Sequence, residues 1–393
     1  MATMTDMPGN INRQKAVGIY IHVPFCRSKC HYCDFCSFTG LDGVIDGYVD
    51  ALCRDIESFK AEPQGYPSRR YTAETVYFGG GTPTLLDTEH FEKILETVDR
   101  RFNIEDNAEI SAECNPGTVD VEKLRGMRRA GVNRLSIGLQ SVHDDELKML
   151  GRIHTYNDFL KTLDDAWRAG FENVSADLMY GIPGQSMSSW AKTLEEAGGL
   201  DLKHISAYGL KIEEHTGFFE NPDGLTFPDE DTVCDMYEYM RDKLRQIGYN
   251  RYEISNFARQ GFESVHNLKY WLYEDYIGFG PSAHSFLNRV RTENSRDLKA
   301  YLKGENICVS SSLIGECEAM NEYVMLRMRL EEGVDKKTFF DKFGVDFDSR
   351  FSEKFNHYAP GFVINGEKSC RFTEKGFLLS NYILSDVLNF EEM

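Results

Sequence analysis

The sequence predicts an α/β fold in which repeated βα units surround a parallel sheet, followed by a smaller, mostly helical C-terminal domain. Three observations predict it: short apolar runs recur along the chain, segments with helical periodicity separate them, and this alternation stops at about residue 305. The length of 393 residues has room for one large and one small domain.

Short apolar runs mark the predicted strands. The segments between them carry apolar residues at three- and four-residue spacing, as in Val49–Ile56 and again from Phe91 to Val98, which is typical of helices packed on a sheet. Six such units favour an open or partial barrel over a complete eight-fold one. The predicted strands are Val17–Val23, Thr75–Phe78, Ala108–Ala112, Arg134–Leu139, Val174–Met179 and His204–Leu210.

Polar or glycine-rich breaks accompany the ends of these strands. Gly79–Thr84 follows the second strand, Glu113–Pro116 follows the third, and Gln140 follows the fourth. Asp177 lies within the fifth run, and Cys26–Cys33 follows the first. Because the carboxyl ends of parallel strands form the ligand-binding face of such folds, we expect these groups to converge on one rim.

The chain beyond the last βα unit is predicted to be a separate domain. Helical patterns span Glu318–Leu330 and Lys336–Phe343, and Arg371–Leu384 resembles a short extended piece that turns into a helix. We therefore divide the chain into a flexible tail over 1–15, a partial barrel over 16–305 and a C-terminal domain over 306–393.

Composition excludes several classes of partner. Forty-four Lys and Arg against 63 Asp and Glu give a net charge of −19, which disfavours nucleic acid or an anionic membrane as the main partner. No apolar stretch is long enough for a membrane span, and the first residues lack the apolar core of a secretory signal, so a cytoplasmic protein is expected. Ten cysteines are too sparse for a disulfide scaffold. We expect most of those outside the cluster described next to be small core residues.

Cys26, Cys30 and Cys33 lie at C-x3-C-x2-C spacing in one loop, within reach of one small inorganic centre. Thiolates suit iron–sulfur clusters or zinc. A structural zinc site normally has four ligands, and no second pair of cysteines is visible, although His31 or Cys36 would complete one. Three cysteines on a four-iron cubane leave one iron open to bind substrate.

The segment Cys26–Cys33 resembles the signature of the radical S-adenosylmethionine (radical SAM) superfamily. That resemblance implies a partial (β/α)6 barrel and a [4Fe-4S] cluster whose open iron chelates S-adenosylmethionine. It also implies that an electron from a donor such as flavodoxin or ferredoxin passes through the cluster into the sulfonium, giving methionine and a 5′-deoxyadenosyl radical. Gly79–Thr82 is similar to the superfamily's glycine motif, and its simpler interpretation is a strand-to-helix turn.

Motifs along nearly the whole chain resemble one branch of that superfamily, which contains oxygen-independent coproporphyrinogen III oxidase and the HemW-type haem chaperones. The C-terminal segment Leu378–Asn381 fits this branch's small, winged-helix-like terminal domain. The matching motifs are Tyr20–Cys26, Gly79–Thr84, Glu113–Pro116, Gly138–Ser141, Gly151-Arg152, Asp177–Gly184 and Tyr252–Ala258.

Resemblance to this branch also implies a set of contacts with S-adenosylmethionine. Glu113 is suited to accept from its ammonium group, Arg152 to pair with its carboxylate and Asp177 to hold the ribose hydroxyls. Singly, each is also compatible with an ordinary polar residue of the rim. The implied contacts are Tyr20, Gly80, Gly81, Thr82, Glu113, Gln140, Arg152 and Asp177.

Two features separate the chaperones from the decarboxylase. The decarboxylases carry a fourth cysteine two residues after the third, where this chain has Phe35, and a longer segment before the cluster. The segment His266–Trp271 matches the H-N-x-x-Y-W motif that the HemW-type family associates with haem. His266, Tyr270 and Trp271 are therefore predicted to contact haem, with His284 a second candidate, whereas a histidine beside aromatic residues is by itself more often part of a core.

These features predict a haem chaperone that binds haem and transfers it to acceptor haemoproteins, with the cluster and S-adenosylmethionine regulating assembly or transfer. The alternative is an enzyme that oxidatively decarboxylates coproporphyrinogen III to protoporphyrinogen IX. A third class, a zinc-stabilised binding module, predicts a colourless protein.

Overall fold

The computed structural model describes residues 15–59 and 71–388. The predicted flexible tail lies outside this part of the chain, apart from Lys15, which begins the first strand. Within the two described ranges, no helix combines the length and the apolar character that crossing a bilayer requires.

The strands, in chain order, are β1 Lys15–Val23, β2 Phe25–Cys26, β3 Phe38–Thr39, β4 Tyr71–Gly80, β5 Ile104–Cys114, β6 Arg134–Gln140, β7 Asn173–Tyr180, β8 His204–Gly209, β9 Asn250–Arg251, β10 Asn256–Ala258, β11 Tyr276–Phe279, β12 His284–Leu287, β13 Val290–Asn294, β14 Cys308–Leu313, β15 Val334–Asp335, β16 Val363–Asn365 and β17 Ser369–Phe372.

The α-helices are α1 Ile45–Ser58, α2 Thr88–Phe102, α3 Val121–Ala130, α4 Asp144–Met149, α5 Tyr156–Arg168, α6 Met187–Gly199, α7 Gly217–Glu220, α8 Glu230–Gln246, α9 Val265–Trp271, α10 Leu298–Leu302, α11 Glu316–Arg327, α12 Lys336–Phe343, α13 Glu353–Asn356, α14 Glu374–Leu378 and α15 Ser380–Val387. Short helical turns occur at Asp42–Val44, Pro83–Leu85 and Asp348–Ser352.

A twelve-stranded sheet organises the molecule, in the order β14-β13-β12-β11-β1-β4-β5-β6-β7-β8-β10-β9. Its six central strands, from β1 through β4, β5, β6 and β7 to β8, pair in parallel. These are the six predicted strands, so the predicted partial barrel of βα units is confirmed. β11 adds a further parallel neighbour to β1, and β12 to β14 extend that edge as antiparallel strands.

Burial explains the long apolar runs of the central strands. Val17, Ile19, Ile21 and Val23 of β1 are completely buried, and α1 and α2 bring the apolar face around Leu52 into the same core. A parallel strand covered on both faces has no solvent-facing side, so its sequence is nearly continuously apolar.

A second hydrophobic core lies under the C-terminal segment. It gathers phenylalanines of α12 and the turns that follow it, among them Phe339, Phe347 and Phe351, against α11 and α15. Besides its helices this segment contains a three-stranded sheet, β15-β17-β16, whose strands are only two to four residues long. Of these strands the sequence indicated only the extended piece that overlaps the end of β17. Tyr273 and Phe286 also belong to this core. The division of the chain at residue 305 stays a prediction.

Candidate functional site

The predicted cysteine cluster lies in an open loop at the carboxyl end of β1. Cys26 ends the two-residue strand β2, and the backbone turns between Cys30 and Cys33, where the Cys33 N–H donates to the Cys30 carbonyl at 3.2 Å. All three thiols are partly exposed and free of disulfides. Burial raises the pKa of Cys33, and the nearby Lys29 ammonium opposes that rise.

Neighbouring side chains donate to two of these sulfurs. The Thr82 hydroxyl lies 3.4 Å from the Cys26 sulfur, and Arg152 Nη1 lies 3.6 Å from the Cys30 sulfur. Cys26 and Cys30 thus each have a hydrogen-bond donor beside the sulfur, and such a donor also stabilises a metal-bound thiolate.

The candidate fourth ligands point away from the three thiols. His31 Nδ1 donates to the Met149 carbonyl at 3.0 Å. Cys36 is buried, with its sulfur 4.0 Å from the Arg296 carbonyl, and it does not line the cavity that the three cysteines share. Over the described residues, no group of three or more His, Cys, Asp or Glu side chains closes around a point where a single ion would sit. Three cysteines without a fourth ligand beside them match a multi-iron cluster with an open iron better than a structural zinc ion, which takes four ligands.

The glycine loop after β4 is hydrogen-bonded to the cysteine loop. The Gly81 N–H donates to the Val23 carbonyl at 2.9 Å, and the Thr82 N–H donates to the Phe25 carbonyl at 2.7 Å. Gly80 has a φ of 109°, and a Cβ there would lie 2.5 Å from the His22 ring. Gly80 therefore combines a left-handed backbone with a close approach, and no other residue type suits both.

Glu113 forms the polar end of this glycine loop. Its carboxylate accepts from the Gly80 N–H at 3.1 Å and from the Tyr77 hydroxyl at 3.0 Å. Burial raises the pKa of Glu113 to about 7, and the charge of Asp177 adds to the rise. A carboxylate held in this way is ready to receive a cationic group, which would restore its ionised form.

Gln140 and Arg152 carry polar atoms that lack partners. Gln140 is buried with a φ of 64°, a left-handed conformation that costs energy outside glycine, and its Oε1 has no hydrogen-bond partner. Arg152 Nη2 donates to Asn115 Oδ1 and to the Gly138 carbonyl, while its Nε is unpaired. Unsatisfied buried groups around one cavity indicate that a polar ligand belongs there.

Asp177 lies opposite, on β7. Its carboxylate accepts from the Ser136 hydroxyl at 2.9 Å, and burial raises its pKa although Ser136 and Ser206 donate to it. Two carboxylates, Glu113 and Asp177, thus face one cavity, whose wall also contains Arg134 and Arg152. Groups of both signs suit a zwitterionic ligand that also carries hydroxyl donors.

These groups enclose one cavity of about 480 Å³, which runs from the cysteine loop into the barrel as far as Asn267. Its volume is within the range of about 300–1,000 Å³ found for small-molecule and cofactor sites. The donor set, the two carboxylates and the unpaired amide oxygen of Gln140 fit an iron–sulfur cluster with S-adenosylmethionine. The predicted residues that line the cavity are Cys26, Cys30, Cys33, Gly80, Gly81, Thr82, Glu113, Gln140, Arg152 and Asp177.

Tyr20 does not line this cavity. Its hydroxyl donates to His22 Nδ1 at 3.1 Å, and its ring stacks on Tyr77 with the centroids 6.2 Å apart. Tyr77, which the sequence reasoning missed, takes the position on the cavity wall instead. The sequence did contain a signal for Tyr77. It is a tyrosine inside an apolar strand, and its side chain must point to the face of the sheet opposite that of its neighbour Phe78. Ser136 was also missed, whereas Asn115 belongs to the segment Glu113–Pro116 that was expected on the rim without a role of its own.

The segment His266–Trp271 lies in α9, whose first residues face the middle of β5. The backbone N–H groups of Val265 and His266 donate to the Glu109 carboxylate, and Lys269 pairs with Glu74 at 2.6 Å. Glu74 lies near the amino end of β4, and Glu109 lies in the middle of β5, before the first residue of β5 that pairs with β6. α9 therefore closes the end of the barrel opposite the cysteine loop.

His266 is buried and neutral beneath the cavity. Its Nδ1 is hydrogen-bonded to the Thr75 hydroxyl at 2.7 Å and its Nε2 to the Tyr270 hydroxyl at 2.8 Å. Burial lowers the pKa of His266 to about 3, with the charges of Lys269 and Arg134 adding to the effect. Iron ligation by His266 stays a prediction, and it would require one of these two hydrogen bonds to break. His284 lies on β12 with its side chain exposed.

Comparison with known proteins identifies the class. A family model for the radical SAM superfamily matches residues 20–197, and one for the HemN C-terminal domain matches residues 316–379. The solved structure of coproporphyrinogen III oxidase (HemN) from Escherichia coli superposes with a TM-score of 0.82 over 96% of this chain and 91% of that chain, at 23% identity. The fold and the cysteine loop are those of a radical SAM protein, whose family implies a [4Fe-4S] cluster and S-adenosylmethionine.

Relatives of nearly the same length narrow the assignment. The heme chaperone HemW of Bacillus subtilis is 36% identical over 378 residues, covering 94% of this chain and 98% of that protein. The heme chaperone HemW of Escherichia coli is 34% identical over 375 residues, covering 94% and 97%. The chain belongs to the HemW family.

Proposed function

We propose that this chain binds haem and transfers it to acceptor haemoproteins. The observation that carries the proposal is the full-length likeness to proteins named heme chaperone HemW. The chain also has Phe35, 68% exposed, at the position where the related decarboxylases are expected to carry a fourth cysteine.

We further propose that Cys26, Cys30 and Cys33 hold a [4Fe-4S] cluster beside S-adenosylmethionine. When bound, the cluster supplies an electron to the sulfonium. The chain supplies the binding groups: Glu113 and the Gly80 backbone receive the ammonium, and Arg152 compensates negative charge at Cys30. The Asp177 carboxylate and the unpaired Gln140 carbonyl oxygen are available to accept hydrogen bonds from the hydroxyl and amino groups of S-adenosylmethionine.

The cysteines and their surroundings support two further parts of the proposal, the electron donor and the cytoplasmic location. Phe35 and Lys29 are exposed beside the loop, so this surface is accessible to an electron donor such as flavodoxin or ferredoxin. All ten cysteines are free, as is usual in the reducing cytoplasm, where we place the protein. The barrel over 16–305 and the C-terminal domain over 306–393 remain our proposed division.

The test uses the anaerobically reconstituted full chain. We expect haemin to bind in stoichiometric amount and to move from the chain to apomyoglobin, with no turnover of coproporphyrinogen III in the presence of reductant and S-adenosylmethionine. Formation of protoporphyrinogen IX would instead establish the decarboxylase activity. A chain that neither binds haemin nor delivers it would overturn the chaperone proposal.

A further inference from the structure

A second cleft lies on the other side of α9 from the cysteine loop, where β11, β12 and β13 face α11. One part of it has a volume of about 410 Å³ and is walled by aromatic and apolar side chains together with Glu274, Arg291 and Glu322. The Tyr270 and Tyr276 rings meet edge to face at 4.6 Å, and the Phe286 ring lies 6.4 Å from Tyr276. Met325 and Leu326 of α11 form the opposite wall. Flat aromatic ligands bind between walls of this kind.

The other part of the cleft is cationic. A neighbouring cavity of about 360 Å³ shares Tyr273 and Phe286 with the aromatic part. It contains Lys15, Arg289 and Lys342. Lys15 pairs with Asp275, and Arg289 lies 3.9 Å from Glu316.

Lys342 is the cation of this part that is left for a ligand. Its ammonium donates to the Tyr273 carbonyl at 3.4 Å and lies over the rings of Tyr273 and Tyr323, at 5.5 and 5.9 Å from their centroids. Among the described residues no carboxylate lies within ion-pair distance of it. An ammonium that lies over two aromatic rings and has no counter-ion is available to a carboxylate that enters beside Tyr273.

The Tyr276 hydroxyl is the free polar group of the aromatic part. Within the described ranges no residue donates to it or accepts from it, in contrast to Tyr270, which is hydrogen-bonded to His266, and to Tyr273, which donates to Glu322. Glu322 is also held by Arg291 in a two-point ion pair at 2.8 and 3.0 Å, so its charge is compensated. A phenol oxygen that points into an aromatic cavity is a known type of haem ligand.

We propose that haem binds in this cleft, with Tyr276 as its iron ligand and its propionates directed to Lys342. This inference rests on the proposed function and gives it a site. On binding ferric haem, the Tyr276 hydroxyl releases its proton to solvent and its oxygen forms the bond to iron, without any change of oxidation state. His266 then acts as a positioning residue, because it fixes the Tyr270 hydroxyl and thereby the ring that packs on Tyr276.

Haemin titration of the full chain, followed by absorption spectroscopy, tests the site. Tyr276→Phe keeps the ring and removes the ligand, so we expect a changed spectrum of bound haem and an affinity loss of about tenfold or more. Lys342→Met should weaken binding by about tenfold with an unchanged spectrum, since it removes only a charge-assisted contact. His266→Ala should weaken binding with an unchanged spectrum. Tyr382→Phe, at an exposed tyrosine outside the cleft, is the matched control.

A variant that fills the cleft gives an independent measurement. Leu326→Trp should block haem while thermal unfolding shows that the chain is still folded. If the wild type binds and delivers haem but Tyr276→Phe and Leu326→Trp both match it in affinity and spectrum, the cleft is not the haem site and the proposed function stands. If His266→Ala alone changes the spectrum, the iron ligand is His266. If the wild type itself takes up no haem, both proposals fall.

Discussion

The hydroxyl of Tyr77 donates to the carboxylate of Glu113 at 3.0 Å, at the point where the glycine loop meets the cavity. The pKa of that carboxyl is nevertheless raised to about 7, because burial outweighs what Tyr77 and the Gly80 N–H contribute. Without ligand, the Glu113 carboxyl is thus only partly ionised near neutral pH. Binding of a cationic ligand must be accompanied by loss of the remaining proton.

Binding of S-adenosylmethionine should therefore depend on pH. The ammonium favours ionised Glu113, so affinity should fall as pH drops below about 7, by roughly eightfold between pH 7.5 and pH 6. Calorimetry on reconstituted protein between about pH 6 and pH 7.5 measures this slope. Glu113→Gln should bind weakly at every pH in that range, and a slope that persists in this variant would assign the titration to another group.

Cluster retention should separate the three loop cysteines from Cys36. Replacing Cys26, Cys30 or Cys33 by Ala should abolish the brown colour and the bound iron, because each supplies one thiolate. Cys36→Ala should keep both, since its buried sulfur lies near the Arg296 carbonyl instead. Cys234→Ala, at an exposed cysteine, is the control. Iron and sulfide analysis measures the outcome, and loss of iron from Cys36→Ala would make Cys36 a ligand.

Gly80→Ala should damage both folding and cofactor binding. The new Cβ meets the His22 ring at 2.5 Å on a backbone with φ of 109°, so we expect about 1–3 kcal/mol of destabilisation. Gly117→Ala is a matched control with φ of 79° and nothing within 4 Å of the added carbon. Urea unfolding compares the two. Equal losses would mean that the backbone conformation alone, and not the approach to His22, sets the requirement for glycine.

Arg251 joins the barrel to the C-terminal segment. Its Nε and Nη2 both donate to Glu331, at 2.9 and 2.6 Å, and its guanidinium lies 3.7 Å from the centroid of the Phe377 ring. Glu331 is partly exposed, so Arg251→Ala should cost about 1–3 kcal/mol, less than a fully buried pair would. Thermal unfolding measures this. Arg125→Ala, which breaks the exposed pair with Glu122, should change little, and an equal effect of both would contradict the bridging role.

The fold was largely predictable because the central strands are buried on both faces. Runs such as Val17–Val23 carry an apolar signal that needs no knowledge of tertiary contacts. β14 offers the opposite case, since all six of its residues are exposed and its sequence contains three serines in a row. It exists because β13 provides a pairing partner, which the local sequence does not reveal.

The site was predictable only as far as strand ends define it. Glu113, Gln140 and Asp177 lie where their strands end or pass the rim, so their convergence followed from topology. Tyr20 and Tyr77 could not be assigned in this way, because which of two stacked tyrosines reaches the cavity depends on the register of β1 against β4. The hydrogen bonds of His266 to Thr75 and Tyr270 could not be predicted either, because the first of them depends on how α9 packs against β4.

The bonds between the cysteine loop and the glycine loop have a consequence for the order of assembly. Gly81 and Thr82 tie their amides to the carbonyls of Val23 and Phe25, immediately before Cys26. The loop is thus anchored at its start by the barrel itself, before any iron arrives. The start of the loop is therefore ordered when the chain folds. The cluster then binds without a further loss of conformational entropy at that end of the loop.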